Sequence, residues 1–251
     1  MKRIRALFSE FIVLERSIPS AVAALFVVSV VAMNLLANKS VDTHTDWLAL
    51  DCGIIFSWAV FLLMDTVTKR FGPRAADILA VTALLANLFI AFMLFVASVI
   101  PGVWSESFVE GSEGAINAAL DNTFRGTWFV LLGSSVAFIV SAFTNNFLNW
   151  LIGASMKKKN GFAVYALRAY VSTAAAQFID NITFALIVAR NFFGWSLLQC
   201  VTCAATGAVA ELLFEIVLSP IGFRVSVKWE RDGVGNEYID FIEKKKAEAA
   251  E

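Results

Sequence analysis

Histidine is nearly missing from this chain: His44 is the only one in 251 residues. There is no H-E-x-x-H pair and no G-x-x-x-x-G-K-[ST] element, so the chain offers neither a zinc-peptidase centre nor its own nucleotide-hydrolysing loop. Cysteine is scarce as well. Cys52, Cys200 and Cys203 all fall inside apolar runs, too few and too dispersed for a disulfide framework. Cys200-x-x-Cys203 has a metal or redox spacing, but it lacks a second pair and a nearby histidine, so both thiols read as small packing residues and no metal or cofactor is implied. Charged residues make up 16% of the chain and the net charge is -1, so no overall basic character points to nucleic acid.

What is abundant is apolar sequence: 59% of residues are hydrophobic and mean hydropathy is +0.72. A soluble domain of this length has no need of so much. A membrane helix needs about 20 apolar residues, and six stretches qualify: Ile18–Ala37, Trp47–Met64, Ala76–Ile100, Gly126–Ala154, Phe162–Ala189 and Gly194–Val225. The first is longer than the apolar part of a signal peptide and lacks a small-x-small exit, so it reads as a retained helix. The charges between the runs set orientation. Lys2, Arg3, Arg5 and Arg16 precede the first run, Lys69, Arg70 and Arg74 follow the second, Lys157–Lys159 the fourth, and Lys228, Arg231 and Lys244–Lys246 the sixth. The long segment 101–125 carries Glu106, Glu110, Glu113 and Asp121 against Arg125. Six spans with both termini in the cytoplasm place every basic cluster on one side.

The expected architecture is therefore all-α: a polytopic integral membrane protein whose six-helix transporter domain, residues 18–225, is flanked by two smaller segments. In the first, residues 1–17, Ile4, Leu7, Phe8, Phe11 and Ile12 recur at helical spacing, as in an amphipathic helix lying on the cytoplasmic leaflet. The second, residues 226–251, is a charged cytoplasmic tail, either helical or disordered. Residues 114–120 suit a short helix on the outer surface, and Trp47, Trp104, Trp128, Trp150 and Trp195 suit the aromatic belts.

Polar residues inside lipid are expensive and mark pathways or binding sites. In the fifth run Thr173, Gln177, Asp180 and Asn181 share one helix face, which is either interhelical glue or a substrate surface; the carboxylate of Asp180 favours the latter. Ser141, Asn145 and Asn149 form a second stripe, with Asn146 beside it, where glue and ligand contact stand equally open. Glu211 and Glu215 lie four apart on the sixth run and need a cation, a proton or a polar ligand. Asn34 and Asn87 are further polar positions. Asp65, at the end of the second run, needs a partner, for which Lys69 has helical spacing. These stripes imply a secondary carrier for a small polar solute in a bacterial inner membrane. A substrate-capture subunit that borrows an external ATPase, as in energy-coupling-factor transporters, has about the same number of helices. An intramembrane enzyme using Glu211 and Glu215 is the alternative from another class, and a non-transporting scaffold gains nothing from buried carboxylates.

Several elements, taken in order, resemble the queuosine precursor transporter family, also called the vitamin uptake transporter family. They are Asn34 near the end of the first span; Asp65 followed by Lys69-Arg70-Phe71-Gly72 and Arg74; Ser172-Thr173-x-x-x-Gln177-x-x-Asp180-x-x-x-Phe184; and a sixth span closing on Pro220. Glu211 and Glu215 depart from the pattern, which leads one to expect a basic residue there, and the segment 101–125 is long. The resemblance implies import of 7-cyano-7-deazaguanine or 7-aminomethyl-7-deazaguanine, with the lipid bilayer as the other partner, no nucleic acid bound, no cofactor, and room for a homodimer. The chemistry of such a cargo fits the stripes. Asp180 or Glu211 can accept two N–H donors, an amide of Gln177, Asn145 or Asn149 can meet the carbonyl, and Phe178 and Phe184 can stack on the ring. The full set of expected substrate-binding residues is Asn34, Asp65, Asn145, Asn149, Gln177, Phe178, Asp180, Asn181, Phe184, Glu211 and Glu215.

Overall fold

A computed structural model describes residues 2–104, 111, 113–155 and 162–248. Glu106, Glu110 and the Lys157–Lys159 cluster lie outside the described residues, as do the side chains of Lys2, Arg3, Arg5, Asn146, Asn149, Trp150 and Arg168. Helix dominates the rest. Helix α1 (Lys2–Ser17) meets α2 (Ser20–Leu36) at a bend of 109°. Pro19, which has no N–H to continue the first helix, stands at the corner. A two-stranded antiparallel hairpin follows, with β1 (Ser40–Val41) against β2 (Leu50–Asp51) and Ser40 opposite Asp51. Helices α3 (Ile54–Phe71) and α4 (Pro73–Val99) join through Gly72. Its φ of 89° suits glycine, and Pro73 then starts α4 at a position where no N–H is needed.

Helix α5 (Glu113–Ser155) is 43 residues long. Helix α6 (Phe162–Phe184) runs into a π-helical turn, Ala185–Ala189, and a short α7 (Arg190–Phe192). Helix α8 (Leu197–Arg231) opens with a capping box in which the Ser196 and Gln199 side chains each accept the other's backbone N–H. The chain ends in α9 (Asn236–Glu248).

Three boundaries differ from expectation. The second apolar run does not start as helix at Trp47: residues 47–53 belong to the hairpin and its exit. There the Asp51 Oδ1 accepts the Gly53 N–H at 2.7 Å, a side-chain turn that competes with helix. Helix α3 consequently extends to Phe71 and carries Asp65, Lys69 and Arg70. Residues 114–120 are not a separate surface helix but the first turns of α5, because the sequence from Asp121 to Arg125 contains no helix breaker. The sixth run continues through Pro220 to Arg231, so the expected boundary at 225/226 falls inside a helix.

Among the described residues, four segments are long and apolar enough to cross a membrane: Pro73–Val99, Glu113–Asn145, Tyr170–Phe192 and Leu197–Arg231. The bent pair Leu7–Ser17 and Ser20–Leu36 is a fifth candidate. Their surfaces are inverted relative to a soluble protein. Leu85, Phe89 and Phe92 on α4 and Leu213 and Val217 on α8 are exposed, while Ser141, Thr173, Gln177, Glu211 and Glu215 are buried. Such an arrangement is stable only where the surrounding solvent is hydrocarbon. The chain is an all-α, multi-pass membrane protein.

The two ends of the bundle differ. At one, the loop between α9 and α8 packs on the α3–α4 corner: Arg70 donates from Nε to the Val234 carbonyl at 2.9 Å and from Nη2 to Asn236 Oδ1 at 2.7 Å. Glu10 of α1, fully buried, receives Arg74 Nη2 at 2.8 Å and Lys245 Nζ at 2.6 Å, with Arg74 Nε on its other oxygen. Burial alone would raise the pKa of Glu10; hydrogen bonds from Lys245 and Arg74, and their charges, outweigh it and hold the carboxyl below its ordinary value. The Tyr238 phenol beside it is pushed up to about 12 by burial and by the Glu10 charge. At the opposite end the hairpin reaches the start of α8, where Thr202 Oγ1 donates to the Trp47 carbonyl.

Candidate functional site

Helices α6 and α8 run antiparallel and meet through a ladder of polar side chains. Tyr170 pairs with Ser219 at 2.8 Å, Thr173 Oγ1 donates to Glu215 Oε1 at 3.5 Å, and Asn181 Nδ2 donates to Glu211 Oε2 at 3.5 Å. The spacing follows from sequence: near-four-residue steps on each helix keep successive rungs on the facing stripe. Close approach at the top depends on Gly207, where a Cβ would sit 2.6 Å from Asn181 Nδ2. Gln177 occupies the rung between Thr173 and Asn181. It is completely buried, and neither its Nε2 nor its Oε1 has a partner. From the other side α5 supplies Ser141, whose Oγ lies 3.0 Å from Asp180 Oδ1 and donates to it.

Above the ladder, toward the hairpin end, lies a cleft with about 500 Å³ of empty space, open solvent at its mouth included. Asn34 closes α2, Asp51 and Gly53 come from the hairpin, Ser57 from α3, Asp180, Asn181 and Phe184 from α6, and Cys203, Gly207 and Glu211 from α8. Phe184 is the last α-helical residue before the π turn. Such turns re-aim a helix face and recur at functional sites. Cys200 Sγ lies 3.6 Å from the Ala185 carbonyl of that turn, which gives this half of the Cys200-x-x-Cys203 motif a packing role and puts the other half in the cleft wall. Three carboxyl groups, Asp51, Asp180 and Glu211, line the cleft, and no lining residue is basic.

Of the expected site residues, the cleft therefore brings together Asn34, Asp180, Asn181, Phe184 and Glu211. Asp65, Gln177, Phe178 and Glu215 are not among its lining residues. Asp65 faces the Glu215 carboxyl, while the Lys69 ammonium, its partner by helical spacing, lies 4.0 Å from the centroid of the Phe223 ring. Asn145 is half-buried, its Oδ1 unpartnered, one turn beyond Ser141; the Asn149 side chain lies outside the described residues. Asp51 and Ser57 were not anticipated. Reading residues 47–64 as one span hid both, although an aspartate two residues before a glycine at the head of an apolar run is a turn signal.

The profile of a family described as "putative vitamin uptake transporter" matches residues 51–225. The chain belongs to that family. The match begins at Asp51, in the cleft wall, and ends inside α8, so it takes in the ladder and every cleft-lining residue except Met33, Asn34, Ala37 and Leu50. No curated protein and no solved structure matches the chain. Membership gives this multi-pass protein a transporter's role.

Proposed function

We propose that this family member imports a flat, nitrogen-rich heterocycle, a 7-deazaguanine precursor of queuosine carrying a 7-cyano or 7-aminomethyl group, across the bacterial inner membrane by alternating access. The observation that carries the reading is the juxtaposition of Asp180, Asn181 and Glu211 with the ring of Phe184 in one cleft. A guanine-like edge presents adjacent N–H donors, which a carboxylate accepts in pairs, and a carbonyl, which an amide N–H meets. An aromatic ring supplies the stacking face. A site of this kind discriminates strongly, because an analogue lacking one donor leaves a buried acceptor unpaired.

In this reading α2 and α3 join the four long apolar segments as spans, giving six. The end of the bundle that holds Glu10, Arg70 and Arg74 faces the cytoplasm, in keeping with the positive-inside rule. Residues 18–225 form the transporter domain, and α1 and α9 form a collar on it. The cleft then faces outward, ready to load. A thermal-shift screen of the purified chain against purines, deazapurines and vitamins tests the cargo. Stabilisation by 7-deazaguanines above guanine and adenine is expected, and stabilisation by an unrelated vitamin alone overturns the assignment.

The family's description as a vitamin uptake transporter favours one second reading, capture of a vitamin for an external ATPase module. Uptake by the chain alone in liposomes excludes it.

A further inference from the structure

Four residues along α8 from Glu211, away from the cleft and toward the end that holds Glu10, lies Glu215, only 4% exposed. Its carboxyl faces that of Asp65 on α3 within hydrogen-bonding range. Thr173 donates to Glu215 Oε1, but Glu215 Oε2 and Asp65 Oδ2 are buried without a donor. Two ionised carboxylates have no hydrogen to share, and their repulsion in a dry interior is severe. One proton between them supplies the missing donor, satisfies both orphaned oxygens and removes one charge.

Among the described residues, the surroundings supply no substitute for that proton. On α6 the neighbouring groups are the neutral Thr173 and Gln177 and the Tyr170 phenol, which is paired with Ser219. Helix α2, packed on α3, has no charged residue. Helix α4 carries two charged residues, Arg74, which is held by Glu10, and the exposed Asp77. On α3 itself Lys69 lies one turn nearer the Glu10 end with its ammonium over Phe223, and on α8 the charges are Glu211 a turn above and Arg224 more than two turns below. Gln177, with both amide atoms unpartnered, stands between Glu215 and Glu211 on the facing stripe of α6. It is a donor and acceptor that a moving proton or cargo group can engage.

We propose that Asp65 and Glu215 form a proton-binding site, separate from the cargo cleft and directly beneath it, through which import is driven by protons. One proton from water on the cleft side binds between the two carboxyls with the bundle open to that side. After the bundle reverses, the pair releases it to water at the Glu10 end, and one cargo molecule crosses with it. A carboxylate pair holding a net charge opposes the rearrangement across hydrocarbon, and the protonated pair carries less of it. The inference rests on the transport reading for its consequence, but not for the shared proton.

The test uses the full chain, its D65N and E215Q variants, and two readouts. Infrared spectra in H₂O and D₂O of wild type should contain a protonated-carboxyl stretch that both variants lose. A band unchanged in both variants overturns the shared proton. In proteoliposomes, an inward gradient of one pH unit should drive wild-type accumulation of radiolabelled 7-cyano-7-deazaguanine by up to about tenfold, the limit for one proton per cargo. E215Q should still exchange labelled for unlabelled cargo at equal pH but gain nothing from the gradient. Gradient-driven accumulation by E215Q equal to that of wild type overturns the coupling role. If wild type moves no deazaguanine at all, the transport reading fails, and the infrared arm still decides the proton site.

Discussion

Glu10 Oε2 accepts the Lys245 ammonium at 2.6 Å, so the first helix and the last are joined through a carboxyl that no water reaches. Arg74, on the α3–α4 corner, holds the same carboxyl from the other side. Replacing Glu10 by Gln removes the charge from both contacts and should destabilise the collar by about 2 kcal/mol. The figure stays small because the Arg74 and Lys245 side chains are 56% and 36% exposed and are screened by water. The pH dependence has a definite sign. The folded-state pKa of Glu10 is lowered, so its contribution is complete above the unfolded value of about 4.3 and is lost as pH falls through the folded value. Thermal unfolding in detergent should show a gap between wild type and E10Q at pH 7 that closes in acid. A gap that persists unchanged in acid would assign the stabilisation to something other than the charge.

Glu10 also shows where sequence reading reaches its limit. By helical spacing it belongs to the polar face of an amphipathic helix, and in an isolated helix that face is wet. It is buried because α9, more than two hundred residues later, packs on α1, and no local pattern encodes that meeting. Periodicity did better where a helix carries its own register. The α6 stripe of Thr173, Gln177 and Asn181 was legible from four-residue steps, and it does face α8. Asp51 and Ser57 were hidden by composition, since a hairpin of two-residue strands has too little sequence to interrupt an apolar run. The Asp65–Glu215 contact needed the pairing of two helices far apart in the chain, whereas Lys69, at helical spacing from Asp65, was the partner local geometry offered.

Asp180 ties α5 to the cleft wall: Ser141 of α5 donates to its carboxyl at 3.0 Å, and Asp180 itself lines the cleft. D180N should abolish cargo binding and uptake and leave the protein folded, since the amide keeps the size but replaces an acceptor by a donor aimed at the cargo's N–H edge. Loss of one charged hydrogen bond alone predicts a fall in affinity of at least about tenfold. S141A should give a milder fall, because the carboxylate remains but is no longer held. Equilibrium binding to the purified protein separates these effects from transport, and wild-type affinity in D180N would remove Asp180 from the site.

Asp51 stands in the cleft wall from the hairpin, alongside Asp180 and Glu211. If the three carboxyls act together on the cargo, D51N should weaken binding of the 7-aminomethyl compound, which carries an ammonium, by more than it weakens binding of the uncharged 7-cyano compound. A difference of about 1 kcal/mol, roughly fivefold in Kd, fits one partly solvated charge pair. Equal losses for the two ligands would show that Asp51 shapes the hairpin, through the Gly53 N–H it accepts, without reading the cargo's charge.

Gly207 gives a steric prediction at the cleft itself. A methyl group there would lie 2.6 Å from Asn181 Nδ2 and 3.3 Å from its Cγ. Alanine favours a helix by about 1 kcal/mol over glycine, so the intrinsic effect of G207A is stabilising, and any loss has to come from packing. The Asn181 side chain can yield only by swinging away from Glu211, which it now meets at 3.5 Å, or by pushing α6 off α8. Either movement alters the cleft, because Asn181, Gly207 and Glu211 all line it. G207A should therefore lower cargo affinity by about tenfold with little change in thermal stability, and shortening Asn181 in the double variant G207A/N181A should relieve the clash without restoring the amide contact. A double-variant affinity equal to that of N181A alone is expected. If G207A instead binds like wild type, helices α6 and α8 do not approach here as closely as the ladder requires.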